Sequence, residues 1–160
     1  ERPGRPPQAR LLHRASPARK LEDTLRLFSF KLKHGIQVCR HYHKNLPKIP
    51  AHGSELNQVW TNLIDNAIDA MDGKGTLTIK TCRFQDFVRV EIIDSGTGIP
   101  PEIQSRIYEP FFTTKAVGKG SGLGLETVRR IVENRHHGTL AVESVPGKTC
   151  FAVCLPVETP

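Results

Sequence analysis

No apolar run in the 160 residues approaches the ~20 that a membrane-spanning helix requires, and no charged-then-apolar segment opens the chain. A soluble, cytoplasmic domain without membrane contact is expected. There is one Met, one Trp and four Cys, and the cysteines never fall into CxxC spacing. Cys39, Cys82, Cys150 and Cys154 therefore read as reduced, mostly buried thiols. No internal repeat is visible. Neither the Walker pattern nor a strand-borne GxGxxG is present, so a P-loop and a Rossmann fingerprint are both unsupported. The chain opens on Glu1 rather than Met, as a fragment of a longer protein would.

Acidic side chains are the other scarcity, with 16 Asp and Glu against 23 Lys and Arg. The imbalance is local. Residues 1–20 hold six basic side chains and one acidic, whereas the other 140 hold 17 and 15. A basic tail on a nearly neutral domain does not imply a nucleic-acid partner. Four of the twelve prolines fall in residues 1–17, which have no apolar periodicity, so this stretch is expected to be a flexible arm.

What is present is an ordered series of elements. Ser16-Pro17 reads as a helix start, and Leu21, Leu25, Leu27, Phe28 and Leu32 carry that helix to about His34. Residues 36–43 alternate as a strand, and LPKIPAHG (46–53) reads as a connection. From Ser54, the three-four spacing of Leu56, Val59, Trp60, Leu63, Ile64, Ala67, Ile68 and Met71 predicts a buried helical stripe. Residues 76–84 and 87–93 predict a hairpin, 101–107 a short helix, 123–135 a further helix, and 139–144 with 149–156 two closing strands. The order is that of an α+β sandwich with helices on one face of a mixed sheet.

Three clusters carry possible chemistry. Asn62 and Asn66, four apart, share a helical face at the edge of the apolar stripe, where carboxamide oxygens suit a hard cation such as Mg²⁺. Asp94, closing an apolar strand before Gly96 and Gly98, places a hydrogen-bond acceptor where backbone can approach a ligand closely. Gly118, Gly120, Gly122 and Gly124 alternate directly before a helix, and unshielded amides at a helix start suit phosphate oxygens. Separately, each cluster also fits an ordinary helix rim, a strand-to-helix turn or a surface loop.

Taken in order, ELNQVWTNLIDNAIDAM (55–71), DSGTGIP (94–100), YEPFFTTK (108–115) and GKGSGLGL (118–125) resemble the asparagine, first-glycine, phenylalanine and second-glycine boxes of the ATP-binding catalytic domain of sensor histidine kinases. GTLAVES…PGKTCFAVCLP (138–156) is similar to that family's closing strands. The resemblance covers about residues 18–156. It implies the Bergerat fold of the GHKL superfamily, a two-layer sandwich with about five strands backed by three helices. The implied division is a basic arm over 1–17 and the catalytic domain over 18–158.

The resemblance also implies ATP and Mg²⁺ as cofactors. Asn66 would be the Mg²⁺ ligand, Asn62 its neighbour in the metal and phosphate site, and Asp94 the acceptor for the adenine amino group. Gly96 and Gly98 would shape the adenine pocket, and Thr149 would close it. A lid would run from about Glu109 to Ser121, packed by Phe111 and Phe112, with Lys115 able to reach phosphate. Gly120, Gly122, Leu123 and Gly124 would give amides to the phosphates. Asp69, Ile99, Thr113, Ser121 and Leu125 complete the implied nucleotide contacts.

Hydrolytic members of the superfamily carry a Glu general base four residues before the metal-binding Asn. Here that position is Asn62, which cannot take a proton at neutral pH. Transfer to another acceptor is therefore favoured over hydrolysis. The family's phosphoacceptor histidine lies on a dimerising helical hairpin. His13, followed by Arg14 and without a helical pattern, does not fit it, so the acceptor domain and a response regulator are expected as partners outside this chain. The alternatives are a GHKL serine kinase of the anti-sigma-factor kind, which YEPFFTTK followed by GKGSGLGL disfavours, and a nucleotide-sensing module without transfer.

Overall fold

The computed structural model describes residues 12–115 and 122–158. In chain order the elements are β1 (His13–Ala15), α1 (Pro17–Leu27), α2 (Ser29–Lys33), β2 (Ile36–His41), β3 (Ile49–Ala51), α3 (Gly53–Ala70), β4 (Gly75–Phe84), β5 (Phe87–Asp94), α4 (Pro101–Gln104), α5 (Gly124–Arg129), β6 (Thr139–Val145) and β7 (Lys148–Pro156). The main sheet runs β2-β4-β5-β7-β6, with β2 and β4 parallel and every other pairing antiparallel. It is a mixed five-stranded sheet with helices on one face, as the α+β reading requires.

The alternation of β5 shows which face is covered. Val88, Val90, Ile92 and Asp94 are buried while the residues between them are half-exposed. The covered face meets the buried stripe of α3, where Val59, Trp60, Leu63 and Ile64 are wholly enclosed, together with Val128, Ile131 and Val132. On the open face the register aligns Cys39, Thr78, Ile93 and Cys150, and farther along Cys82, Arg89 and Cys154. The expectation of mostly buried thiols is thus corrected: Cys82 is exposed and the other three are half-exposed. Sheet register, which composition does not reveal, assigns all four to the uncovered side.

Local chemistry sets the element boundaries. Ser16 Oγ accepts the Arg19 amide at 3.3 Å and Pro17 opens α1. The single helix expected to His34 is interrupted at Phe28, whose backbone leaves helical geometry at φ −93°, ψ 6°. Leu25, Phe28 and Leu32, three and four residues apart, face the core on both sides of the break, while Leu27 is 80% and Phe30 78% exposed. Two other expectations change. The connection at 46–53 contains β3, which pairs with β1, so the arm expected over 1–17 is ordered from His13. Residues 1–11 lie outside the described residues. His13 itself is a strand residue.

The helix expected over 123–135 is α only to Arg129 and continues as a π-helical turn, Arg130–Arg135. His136 closes it: its Nδ1 bonds the Ile131 carbonyl at 2.9 Å, while its Nε2 accepts the His52 amide at 3.1 Å. Those two bonds require Nδ1 to carry the proton and the ring to be neutral. Burial pushes the His136 imidazole below its ordinary value, which favours the same neutral ring.

Candidate functional site

The candidate residues converge because α3 touches each motif along one face. Positions 62, 66, 69 and 70 are spaced four, three and one apart and so follow one another up that face. At its lower end Asn62 Nδ2 donates to the Gly124 carbonyl at 3.3 Å, tying α3 to the first residue of α5. One turn on, the half-buried Asn66 side chain has no hydrogen-bond partner among the described residues. Next, Asp69 pairs with the Lys115 ammonium at 2.5 Å. At the top the Ala70 carbonyl accepts the Thr97 amide at 3.3 Å.

The strand side is buried and directional. Asp94, at the end of β5, is 4% exposed, and its Oδ1 accepts the Gly96 amide at 2.9 Å. Burial pushes the Asp94 carboxyl above its ordinary value, opposed by that amide bond. Gly96 runs so close to the Ala70 carbonyl that any Cβ would collide with it. Gly98, at φ 85°, would bring a Cβ within 2.7 Å of the Val145 carbonyl. Thr149, 3% exposed, lies directly opposite Asp94 in the β5–β7 ladder. Ile99, half-buried, packs against the core.

On the other side of α3 the chain is a loop. Phe112 packs against the core under the Arg106 guanidinium, 4.6 Å from the ring centroid. Phe111, expected to pack with it, is instead 74% exposed at φ 66°. Its amide donates to the Gly122 carbonyl at 2.9 Å, and the backbones press together so closely that Gly122 has no room for a side chain. This pairing narrows the loop to a neck. Thr113 Oγ1 accepts the Lys115 amide at 3.0 Å. Leu123 and Leu125 are half-buried at the start of α5. Gly120 and Ser121 lie outside the described residues.

The family model for histidine kinase-, DNA gyrase B- and HSP90-like ATPases matches residues 51–159. The chain belongs to that family. Within it, the sensory histidine kinase/phosphatase NtrB of Rhodobacter capsulatus is 37% identical over 135 residues, which cover 75% of this chain and 37% of NtrB. The chain thus spans well under half of that relative. Among solved structures, the nucleotide-free catalytic domain of histidine kinase ThkA matches with a TM-score of 0.83 and 31% identity, over 91% of this chain and 95% of that one. ThkA in complex with response regulator protein TrrA matches with a TM-score of 0.80 and 28% identity, over 92% of this chain and 42% of that one. The sheet and its covering helices are those of a histidine-kinase-type ATP-binding catalytic domain.

The sequence reading missed groups that hold the site together. Ser95 Oγ accepts the Thr76 amide at 2.9 Å, and the Gly147 amide donates to the Gly96 carbonyl at 3.0 Å. Ser144 Oγ accepts the Ile99 amide at 2.8 Å and lies 2.6 Å from Thr149 Oγ1. Ser144 was recoverable in principle, since a hairpin turning at Pro146-Gly147 sets residue 144 opposite residue 149.

Proposed function

We propose that the domain binds Mg-ATP with the adenine against Asp94 and Thr149 and the phosphates between α3 and the start of α5. It then passes the γ-phosphoryl to a histidine on a dimerisation domain outside this chain. The observation that carries the reading is the single face of α3, which joins Gly124, Lys115 and the Gly96–Gly98 loop through Asn62, Asp69 and Ala70. One nucleotide spanning base to phosphate needs that set of neighbours.

The residues fit both ligands. A buried acceptor beside two glycines that tolerate no side chain suits a flat base with an exocyclic amino group. The unpartnered Asn66 carboxamide suits Mg²⁺, and the cation, when bound, would neutralise charge on the phosphates. Asn62 holds α5 in place with its amino group, and its oxygen would be available to the metal and phosphates. Lys115 would exchange Asp69 for phosphate. The amides of Gly120, Gly122, Leu123 and Gly124 would contact phosphate oxygens, with Thr113, Phe112, Ser121 and Leu125 around them and Ile99 along the base.

Asn62 and Asn66 offer no strong base, so the domain's contribution is positioning and charge neutralisation for an acceptor brought from elsewhere. No described helix is long and apolar enough to cross a membrane, and we place the domain in the cytoplasm with a response regulator as downstream partner. The complex of ThkA with TrrA supports that partner class. The test is calorimetric titration of ATP with and without Mg²⁺, followed by transfer from labelled ATP to a separately supplied phosphoacceptor domain. Tight Mg²⁺-dependent binding with slow hydrolysis, and transfer only when the acceptor is added, is the expected result. Rapid hydrolysis without acceptor would count against the reading.

A further inference from the structure

The covered face of the sheet is apolar in two successive rows, Val142, Phe151, Ile92 and Ile79, then Leu140, Val153 and Val90, which ends on Thr81. The row at the site end is different. It runs Ser144, Thr149, Asp94 across β6, β7 and β5, before Leu77 on β4. Thr149 and Asp94 are almost wholly enclosed, and a buried hydroxyl without a partner is destabilising. The Thr149 hydroxyl finds its partner in Ser144, 2.6 Å away, and Ser144 also accepts the Ile99 amide at 2.8 Å.

We propose that Ser144 is a positioning residue that fixes the direction of the Thr149 hydroxyl and thereby sets which base the site accepts. The inference rests on the nucleotide reading above. Ser144 has one hydrogen and two lone pairs, and the Ile99 amide occupies one lone pair. The remaining hydrogen bond to Thr149 can run either way. The next polar group in the row is the Asp94 carboxylate, an acceptor only. The arrangement that serves all three has Ser144 donating to Thr149, so that the Thr149 hydrogen is free to donate beside Asp94. The rim then presents an acceptor at Asp94 and a donor at Thr149. Adenine offers the complementary pair, an exocyclic N–H donor beside a ring-nitrogen acceptor. Guanine offers the reverse, a carbonyl beside a ring N–H.

Ser144 also holds the loop that shapes the pocket. Its bond to the Ile99 amide joins the Gly147–Gly96 bond and the close approach at Gly98, where a Cβ would come within 2.7 Å of the Val145 carbonyl, so the loop lies against the β6–β7 turn at three points.

The experiment is binding of ATP and of GTP to the chain and to Ser144→Ala, Ser144→Thr, Thr149→Val, Asp94→Asn and the Ser144→Ala/Thr149→Val double variant, with a melting curve for each. Ser144→Ala is expected to weaken ATP about tenfold while leaving GTP nearly unchanged, so that base preference collapses, and Ser144→Thr to restore most of it. On the Thr149→Val background, Ser144→Ala should change the ATP:GTP ratio no further, because the two residues act as one unit. Equal weakening of both nucleotides, a lower melting temperature with the ratio intact, or full additivity with Thr149→Val would overturn the proposal. Should Ser144→Ala fail to fold, a Ser144→Thr variant that loses the ratio would overturn it equally. Failure of the unaltered chain to bind ATP, or an Asp94→Asn variant that binds it normally, would instead sink the underlying nucleotide reading and the proposal with it.

Discussion

Asp94 and Lys115 are both charged groups at the site, yet they are held in opposite ways. Asp94 closes a central strand with ladder partners on both sides, Leu77 and Thr149, and its carboxylate is enclosed. Lys115 sits on a loop behind the Phe111–Gly122 neck, and its charge is spent on Asp69, itself nearly half exposed. The base side is therefore rigid before any ligand arrives, and its geometry comes from sheet register. Among the described residues the phosphate side is held by the Asn62–Gly124 bond, a backbone pinch and one partly solvated ion pair, the last of which a more highly charged ligand can displace. Selectivity belongs to the first region and responsiveness to the second.

Breaking the base side should have the largest effect. Asp94→Ala removes the buried acceptor and leaves the Gly96 amide without its partner, so ATP binding should weaken on the order of a hundredfold, measured by calorimetry, a loss of about 2.7 kcal/mol. Asp94→Asn sharpens the point by separating function from stability. Native Asp94 binds its proton more tightly than the unfolded chain does. Its stabilising contribution is therefore full only below the ordinary carboxylate range and is lost as pH rises through the raised native value. At neutral pH the variant should melt higher, by ~2–4 °C per kcal/mol relieved, while binding ATP worse.

Breaking the metal position should cost less and only conditionally. Asn66→Ala should lower ATP affinity about tenfold in Mg²⁺ and barely at all in EDTA, because it removes a group that has no partner among the described residues. Loosening the phosphate side should be weaker still and opposite in sign. Asp69→Asn frees Lys115, and an ion pair this exposed contributes about 0–1 kcal/mol, so ATP affinity should rise about two- to threefold. The smallest effect lies outside both regions. His136 is held neutral, so the stability it contributes is full above its ordinary value of 6.5 and lost as pH falls toward the depressed native one. His136→Gln, which can keep both hydrogen bonds, should flatten that part of the melting temperature against pH curve.

Much of the architecture was legible because apolar spacing is a strong signal. The α3 stripe and the alternation of β4 and β5 appear in the sequence within one or two residues of their observed bounds. The shared face of Asn62 and Asn66 followed from helical geometry alone. What escaped depends on partners far along the chain. Ile49–Ala51 reads as a proline-broken connection until β1 is beside it. The break at Phe28 keeps Leu25, Phe28 and Leu32 in the spacing of one continuous helix, so no local pattern announces it. The π-helical turn ends where His136, holding the Ile131 carbonyl, also accepts the amide of His52, 84 residues away. Within the site, residue types identified the ends of the network but not its connector, Ser144.

The uncovered face of the sheet has a practical consequence for chemistry on this domain. Its four thiols sit on strands β2, β4 and β7, and their nearest spacings, two strands apart or four residues along one strand, are roughly 10–14 Å. That is beyond the reach of a disulfide, whose Cα atoms stand about 4.4–6.8 Å apart. Oxidants therefore cannot cross-link the face within one molecule. A maleimide fluorophore on Cys82, the most accessible of the four, would stand on the side of the sheet away from Asp94 and Thr149. It would report on what approaches that face while leaving the nucleotide's side untouched.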